Sequence, residues 1–228
     1  MLKKRLQLTA LALIQLAPLL YPLCSVARQA TQENGEDQRK TSKPYTGDLS
    51  IFETPGRAER LQIDRVMNIL GMTSGKSVAD IGAGSGWFSV RAARRVGAAG
   101  TVYAVDINPE AIQYIDRRVH DEQLANVKTI LSKPDDPLLP AHSVDAVVLL
   151  KTYHEIARPI TLLGTLRGCL RPDAKIGVID RNGNGEDHGV MSEVVIREAK
   201  QAGYRLVERY DFVKADNEDY FLVFTPAQ

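Results

Sequence analysis

Three groups of residues in this 228-residue chain have types and spacings that can do chemistry. The first is Asp80 followed by Gly82, Gly84 and Gly86, after which Phe88, Val90, Ala92, Ala93 and Val96 continue at helical spacing. An apolar run before the glycines and a periodic stretch after them predict a buried strand, a tight turn and a helix start. Glycine lets a ligand approach without meeting a Cβ, and a helix N-terminus offers it free N–H groups. A carboxylate inside the end of an apolar strand is costly unless paired, so Asp80 points to a cationic or donor-rich ligand. The second group is Asp106, which closes an apolar run over 101–105 and lies 22 residues beyond Gly84. That spacing suits a carboxylate that grips ribose hydroxyls. The third is Lys151-Thr152-Tyr153-His154-Glu155, following the almost wholly apolar run Val144–Leu150. Polar residues at the carboxyl end of a central strand stand where ligands bind in open α/β sheets. His154 can exchange a proton near neutral pH; the plainer alternative is a histidine packed beneath its strand.

The glycine pattern separates two ligand classes. A dinucleotide fingerprint is G-x-G-x-x-G, and here Trp87 holds the place of the third glycine. The pattern D-x-G-x-G-x-G over 80–86, with a second strand ending in Asp106, instead resembles class I S-adenosylmethionine-dependent methyltransferases of the small-molecule type. That resemblance covers about 51–224. It implies a methyl transfer from S-adenosylmethionine to a small-molecule acceptor, with no metal. It also implies cofactor contacts from Asp80, Gly82, Ala83, Gly84, Gly86, Asp106 and Ile107, and an adenine-binding acid at Asp135 or Asp136, just before Leu139-Pro140. His154, with Tyr153 beside it, would then lie where the transferred methyl projects and serve as the catalytic candidate. From the residues alone, Asp135-Asp136-Pro137 is equally an ordinary turn capped by acids. A non-catalytic nucleoside-binding module and an NAD-linked oxidoreductase remain the alternative readings.

The elements that must position these groups follow from periodicity and caps. A helix is expected over 58–70, with Ile63, Val66, Met67 and Leu70 as its stripe and Gly71 as its stop. It either covers the sheet edge or belongs to a segment over 52–60 that folds across the pocket, where Arg57 or Arg60 would meet a carboxylate. Asn108, Pro109 and Glu110 are an N-cap, a first-position proline and a dipole-matched acid, opening a helix to about 122. A third strand is expected at Val127–Leu131, a helix over 160–170, a surface turn at Leu170-Arg171-Pro172-Asp173 and a fifth strand over 175–180. A helix over 191–202 and strands over 204–212 and 220–225 complete the chain. Five strands alternating with helices require a parallel doubly wound sheet. The last two are joined by too little chain for a crossover and must be antiparallel. With the family resemblance, this gives an α/β seven-stranded sheet of order 3-2-1-4-5-7-6.

Composition sets the outer limits. A 44% hydrophobic and 25% charged chain can fill an ordinary core, and a net charge of +1 gives no bulk attraction to nucleic acid. Two cysteines are too few for an iron–sulfur cluster, and no Cys/His spacing suggests zinc. Lys3, Lys4 and Arg5 precede an apolar run over 6–23, and Ser25-Val26-Ala27 offers a cleavage site. This is the layout of an export signal over 1–27; its rival is an uncleaved membrane anchor that tethers the chain through 2–23. The polar stretch over 28–50 reads as a disordered linker, leaving 51–228 as the domain.

Overall fold

The computed structural model describes residues 38–43 and 45–227. The expected export signal and the start of the linker lie outside the described residues. Seven strands form one sheet: β1 (Ser77–Ile81), β2 (Thr101–Asp106), β3 (Val127–Leu131), β4 (Val144–Leu150), β5 (Leu170–Asp180), β6 (Tyr204–Tyr210) and β7 (Tyr220–Pro226). Their order is β3-β2-β1-β4-β5-β7-β6. The first five are parallel neighbours, and β7 runs antiparallel between β5 and β6.

Among the described residues, six α-helices accompany the sheet: α1 (Arg57–Arg60), α2 (Ile63–Ile69), α3 (Trp87–Val96), α4 (Pro109–Asp121), α5 (Pro159–Cys169) and α6 (Ser192–Gln201). Alternation along the central strands sends side chains to opposite faces. Ala79, Ile81, Val147 and Leu149 pack with Leu162 and Leu166 of α5 and Val195 of α6. Val78, Ala146 and Val148 pack instead with Val66 of α2 and Phe88 and Ala92 of α3. A sheet buried on both faces needs apolar residues at successive positions, which is why β1 and β4 read as continuous apolar runs. Asn108 caps α4 as expected, accepting from the Glu110 backbone N–H at 2.9 Å.

Three expectations are corrected. The helix over 58–70 breaks into α1 and α2 because Gln62 takes a left-handed φ of 49°. The surface turn over 170–173 is the start of β5: Leu170 pairs with Val144, and an irregularity separates it from the Lys175–Ala146 register. The linker is not free chain throughout its described part: Arg39, Ser42 and Leu49 meet the domain, while most of the residues between them are exposed. The Arg39 guanidinium lies 2.9 Å from Glu198 and donates to the Ile156 and Tyr153 carbonyls; Ser42 is buried. A half-buried charge with a buried partner fixes this strap in place. No helix among the described residues is long and apolar enough to cross a membrane.

Candidate functional site

A cavity of about 780 Å³ opens at the carboxyl ends of β1, β2 and β4. Thr41, Tyr45, Leu49 and Phe52, from the N-terminal strap, form one wall. Tyr45 and Phe52 meet edge to face at 5.6 Å. Glu53 ties this wall to the glycine turn: Ser85 Oγ donates to it at 2.6 Å, and Arg118 from α4 pairs with it.

The turn after β1 is built by glycine conformations. Gly82 has φ of 72°, and a Cβ there would collide with the Thr152 side chain. Gly86 caps α3 with φ of 73°, and a Cβ would crowd Ile115 at 3.1 Å. Gly82, Ala83 and Gly84 line the cavity, whereas Gly86 does not. Its expected ligand contact is therefore corrected to a structural role, fitting the turn against α4.

Asp106 lies across this turn. Gly84 N–H donates to its Oδ2 at 2.8 Å and Asn108 N–H to its Oδ1 at 2.9 Å. Each oxygen keeps further acceptor capacity, enough for a pair of vicinal hydroxyls. Burial raises its pKa above the usual carboxylate range, and the backbone N–H groups oppose that rise. Ile107 lines the same space with a 43% exposed apolar side chain that a flat ring would cover. Asp80 is only 2% exposed and accepts from Ser89 Oγ at 2.6 Å; burial pushes its pKa up to about 7.

The acid expected beside adenine is not in the cavity wall. Asp135 turns to Arg158, 3.1 Å away, and Asp136 caps its own turn by accepting from Leu138 N–H. Ser132, Lys133 and Pro134 line the cavity instead. Pro137 beyond the acids lines it too, so the chain skirts the pocket on both sides of Asp135 and Asp136 while their side chains turn to Arg158 and to the Leu138 N–H.

The residues after β4 separate by side. Tyr153 is fully buried away from the cavity, its hydroxyl donating to Glu198 at 2.8 Å. Burial and that carboxylate raise its pKa well above the ordinary value. The catalytic expectation for Tyr153 is thus corrected: a short 3-10 turn over Tyr153–Glu155 sends its side chain into the core under α6. His154 lies in the cavity wall, and its Nδ1 is 2.9 Å from both Asp180 oxygens. Asp180, at the end of β5, is wholly buried and also accepts the His154 and Arg181 backbone N–H groups. With Nδ1–H donating to Asp180, the lone pair of the ring stands on Nε2. Glu155 Oε1 lies 3.9 Å from that nitrogen, and burial raises its pKa to about 7. His188, from the loop after β5, stacks edge-on against His154 at 5.8 Å. Asp180 and His188 were missed from sequence because they lie 26 and 34 residues from His154. Only the β4–β5 pairing reveals their proximity.

Arg57 also lines the cavity, its guanidinium 4.5 Å over the Trp87 ring and 3.4 Å from Asp216. Arg60 turns away to Asp216 and the Pro55 carbonyl.

A carboxylate held by a glycine turn, on a sheet of order β3-β2-β1-β4-β5-β7-β6 with β7 antiparallel, is the arrangement of the class I S-adenosylmethionine-dependent methyltransferase fold. Residues 78–173 match a family model described as a methyltransferase domain. That match covers a little under half of the 228-residue chain and makes the region over 78–173 similar to that domain. It is 29% identical over 165 residues to aklanonic acid methyltransferase DauC of Streptomyces sp. (strain C5), covering 72% of this chain and 63% of the relative. It thus spans less than two thirds of that relative's length. A similar solved structure is a SAM-dependent methyltransferase from Aquifex aeolicus, with TM-score 0.71, 24% identity and coverage of 77% and 95% of the two chains. The [4+2]-cyclase SpnF also superposes, with TM-score 0.64, 14% identity and coverage of 85% and 90%. These likenesses show the fold.

Proposed function

We propose that the domain transfers a methyl group from S-adenosylmethionine to a small-molecule acceptor. One observation carries this reading: a carboxylate with spare acceptor capacity and an imidazole held by a buried carboxylate face the same cavity. S-adenosylmethionine supplies a methyl made electrophilic by its sulfonium. Asp106 would hold the ribose hydroxyls, and Ile107, Lys133 and Pro134 would flank the adenine. Asp80 and the Gly82–Gly84 backbone would orient the amino-acid end. Thr41, Tyr45, Leu49 and Phe52 wall one side of the pocket, and positioning of the acceptor in line with the methyl is the main source of rate. His154 Nε2 accepts the acceptor's proton as its heteroatom attacks, while Asp180 holds the ring and steadies the imidazolium that forms. The sequence layout further supports export by residues 1–27, with a tether through 2–23 as the alternative.

Calorimetry of the purified chain with S-adenosylmethionine, its demethylated product and NAD tests the reading. Saturable binding of the first two and none of NAD is expected. Binding of NAD without S-adenosylmethionine would overturn it.

A further inference from the structure

We propose that His154, Glu155 and His188 form a divalent-cation site of the zinc class on the acceptor side of the cavity. One ligand atom from each lies within 4.8 Å of the others. Two imidazoles and one carboxylate are the donor set of zinc sites that keep a fourth position open for water or substrate. The open position here would face the cavity that all three residues line.

Two independent features point to a cation. Asp180 sits behind His154 at 2.9 Å from Nδ1, as a carboxylate does when it orients a metal-ligating histidine and raises its basicity. The Glu155 side chain, half-buried, makes no hydrogen bond among the described residues; a ring nitrogen of His154 at 3.9 Å and one of His188 within 4.8 Å are the polar groups beside it. A partly desolvated carboxylate left without donors is costly, and a cation between it and the two rings would satisfy it.

This inference rests on the proposed methyl transfer and narrows its acceptor to a compound with an oxygen, nitrogen or sulfur nucleophile that ligates zinc. Without the cation, the Nε2 lone pair takes the acceptor's proton. With it, that lone pair is a ligand and the acceptor occupies the fourth position. Coordination lowers the pKa of the bound group: its proton leaves to water and the electron pair stays on the heteroatom. That pair then forms the bond to the methyl, and the carbon–sulfur pair goes to sulfur.

The test is calorimetry of the untagged full chain, stripped with chelator, titrated with zinc chloride and in parallel with magnesium chloride. One zinc per chain is expected. The saturable isotherm should disappear in His188→Ala and Glu155→Gln, both with native circular dichroism and cooperative melting. No saturable zinc binding, undiminished binding in His188→Ala, or magnesium binding as tight as zinc would each overturn the site. S-adenosylmethionine titrated into the same samples separates the two ideas. If it binds while zinc does not, only the cation site falls. If zinc binds and S-adenosylmethionine does not, the cation site stands and the methyl-transfer reading falls.

Discussion

The backbone N–H of Gly84 donates to Asp106 Oδ2 at 2.8 Å, joining the turn after β1 to the end of β2. The carboxylate that would hold a ribose is thereby aimed by the turn that would receive the rest of the cofactor. Neither can shift without the other. Asp106→Ala should weaken S-adenosylmethionine binding by ~1–3 kcal/mol, the cost of removing a charged hydrogen-bond acceptor. Calorimetry on a variant with native circular dichroism checks this. Unchanged affinity would remove the ribose assignment.

His154 and Tyr153 are adjacent in sequence and opposite in role. His154→Ala should lower the transfer rate by roughly 10²–10⁴-fold, the usual worth of a positioned base, with little loss of S-adenosylmethionine affinity. Tyr153→Phe removes only the hydroxyl bonded to Glu198. It should cost about 1.5–3 kcal/mol of stability, as hydrogen bonds to charged groups do, and leave turnover per folded molecule alone. Equal rate losses in the two variants would refute this division.

Asp80 makes folding stability depend on pH. Its pKa rises from 3.8 to about 7 through burial, so between those values the folded state keeps a proton that the unfolded chain has released. Stability should be fullest below that window and fall as pH climbs through it, by up to ~1.4 kcal/mol per pH unit for one group. Glu155, raised to about 7 from 4.5, adds in the same direction. Denaturant unfolding between pH 4 and 8 should show a shallower decline in Asp80→Asn than in the unaltered chain. Identical slopes would assign the effect elsewhere.

The leader has a separate test. Mature protein recovered from its host should begin near Arg28, because Ser25-Val26-Ala27 precedes it and the apolar run is short. N-terminal sequencing that finds Met1 in the membrane fraction would establish the anchor instead.

Local residue chemistry made the sheet legible. Apolar strands alternate with capped helices, and Asn108-Pro109-Glu110 starts α4 where its residue types dictate. The glycine turn and Asp106 were legible because their spacing along one strand–turn–helix unit fixes their meeting. What stayed hidden depended on contacts between distant segments. Tyr153 and His154 look alike as candidates until the 3-10 turn sends one to each side. Asp135 and Asp136 fit a sequence offset, yet the chain after β3 already reaches the cavity at Ser132, three residues before Asp135, and both acids turn to other partners. Gln62 gives no sign that it will break a helix, since a left-handed φ is rare for its type. Polar composition over 38–50 suggested free chain, because composition does not record that Arg39 meets a buried carboxylate on α6.

That last contact changes where the domain may be cut. A chain trimmed to Ile51, where the composition turns globular, would lose Thr41, Tyr45 and Leu49 from the cavity wall and leave Glu198 without the guanidinium of Arg39. Such a fragment could keep its sheet and still offer a roofless pocket, so a negative binding result from it would describe the cut rather than the protein. The working unit for any assay therefore starts upstream of that arginine.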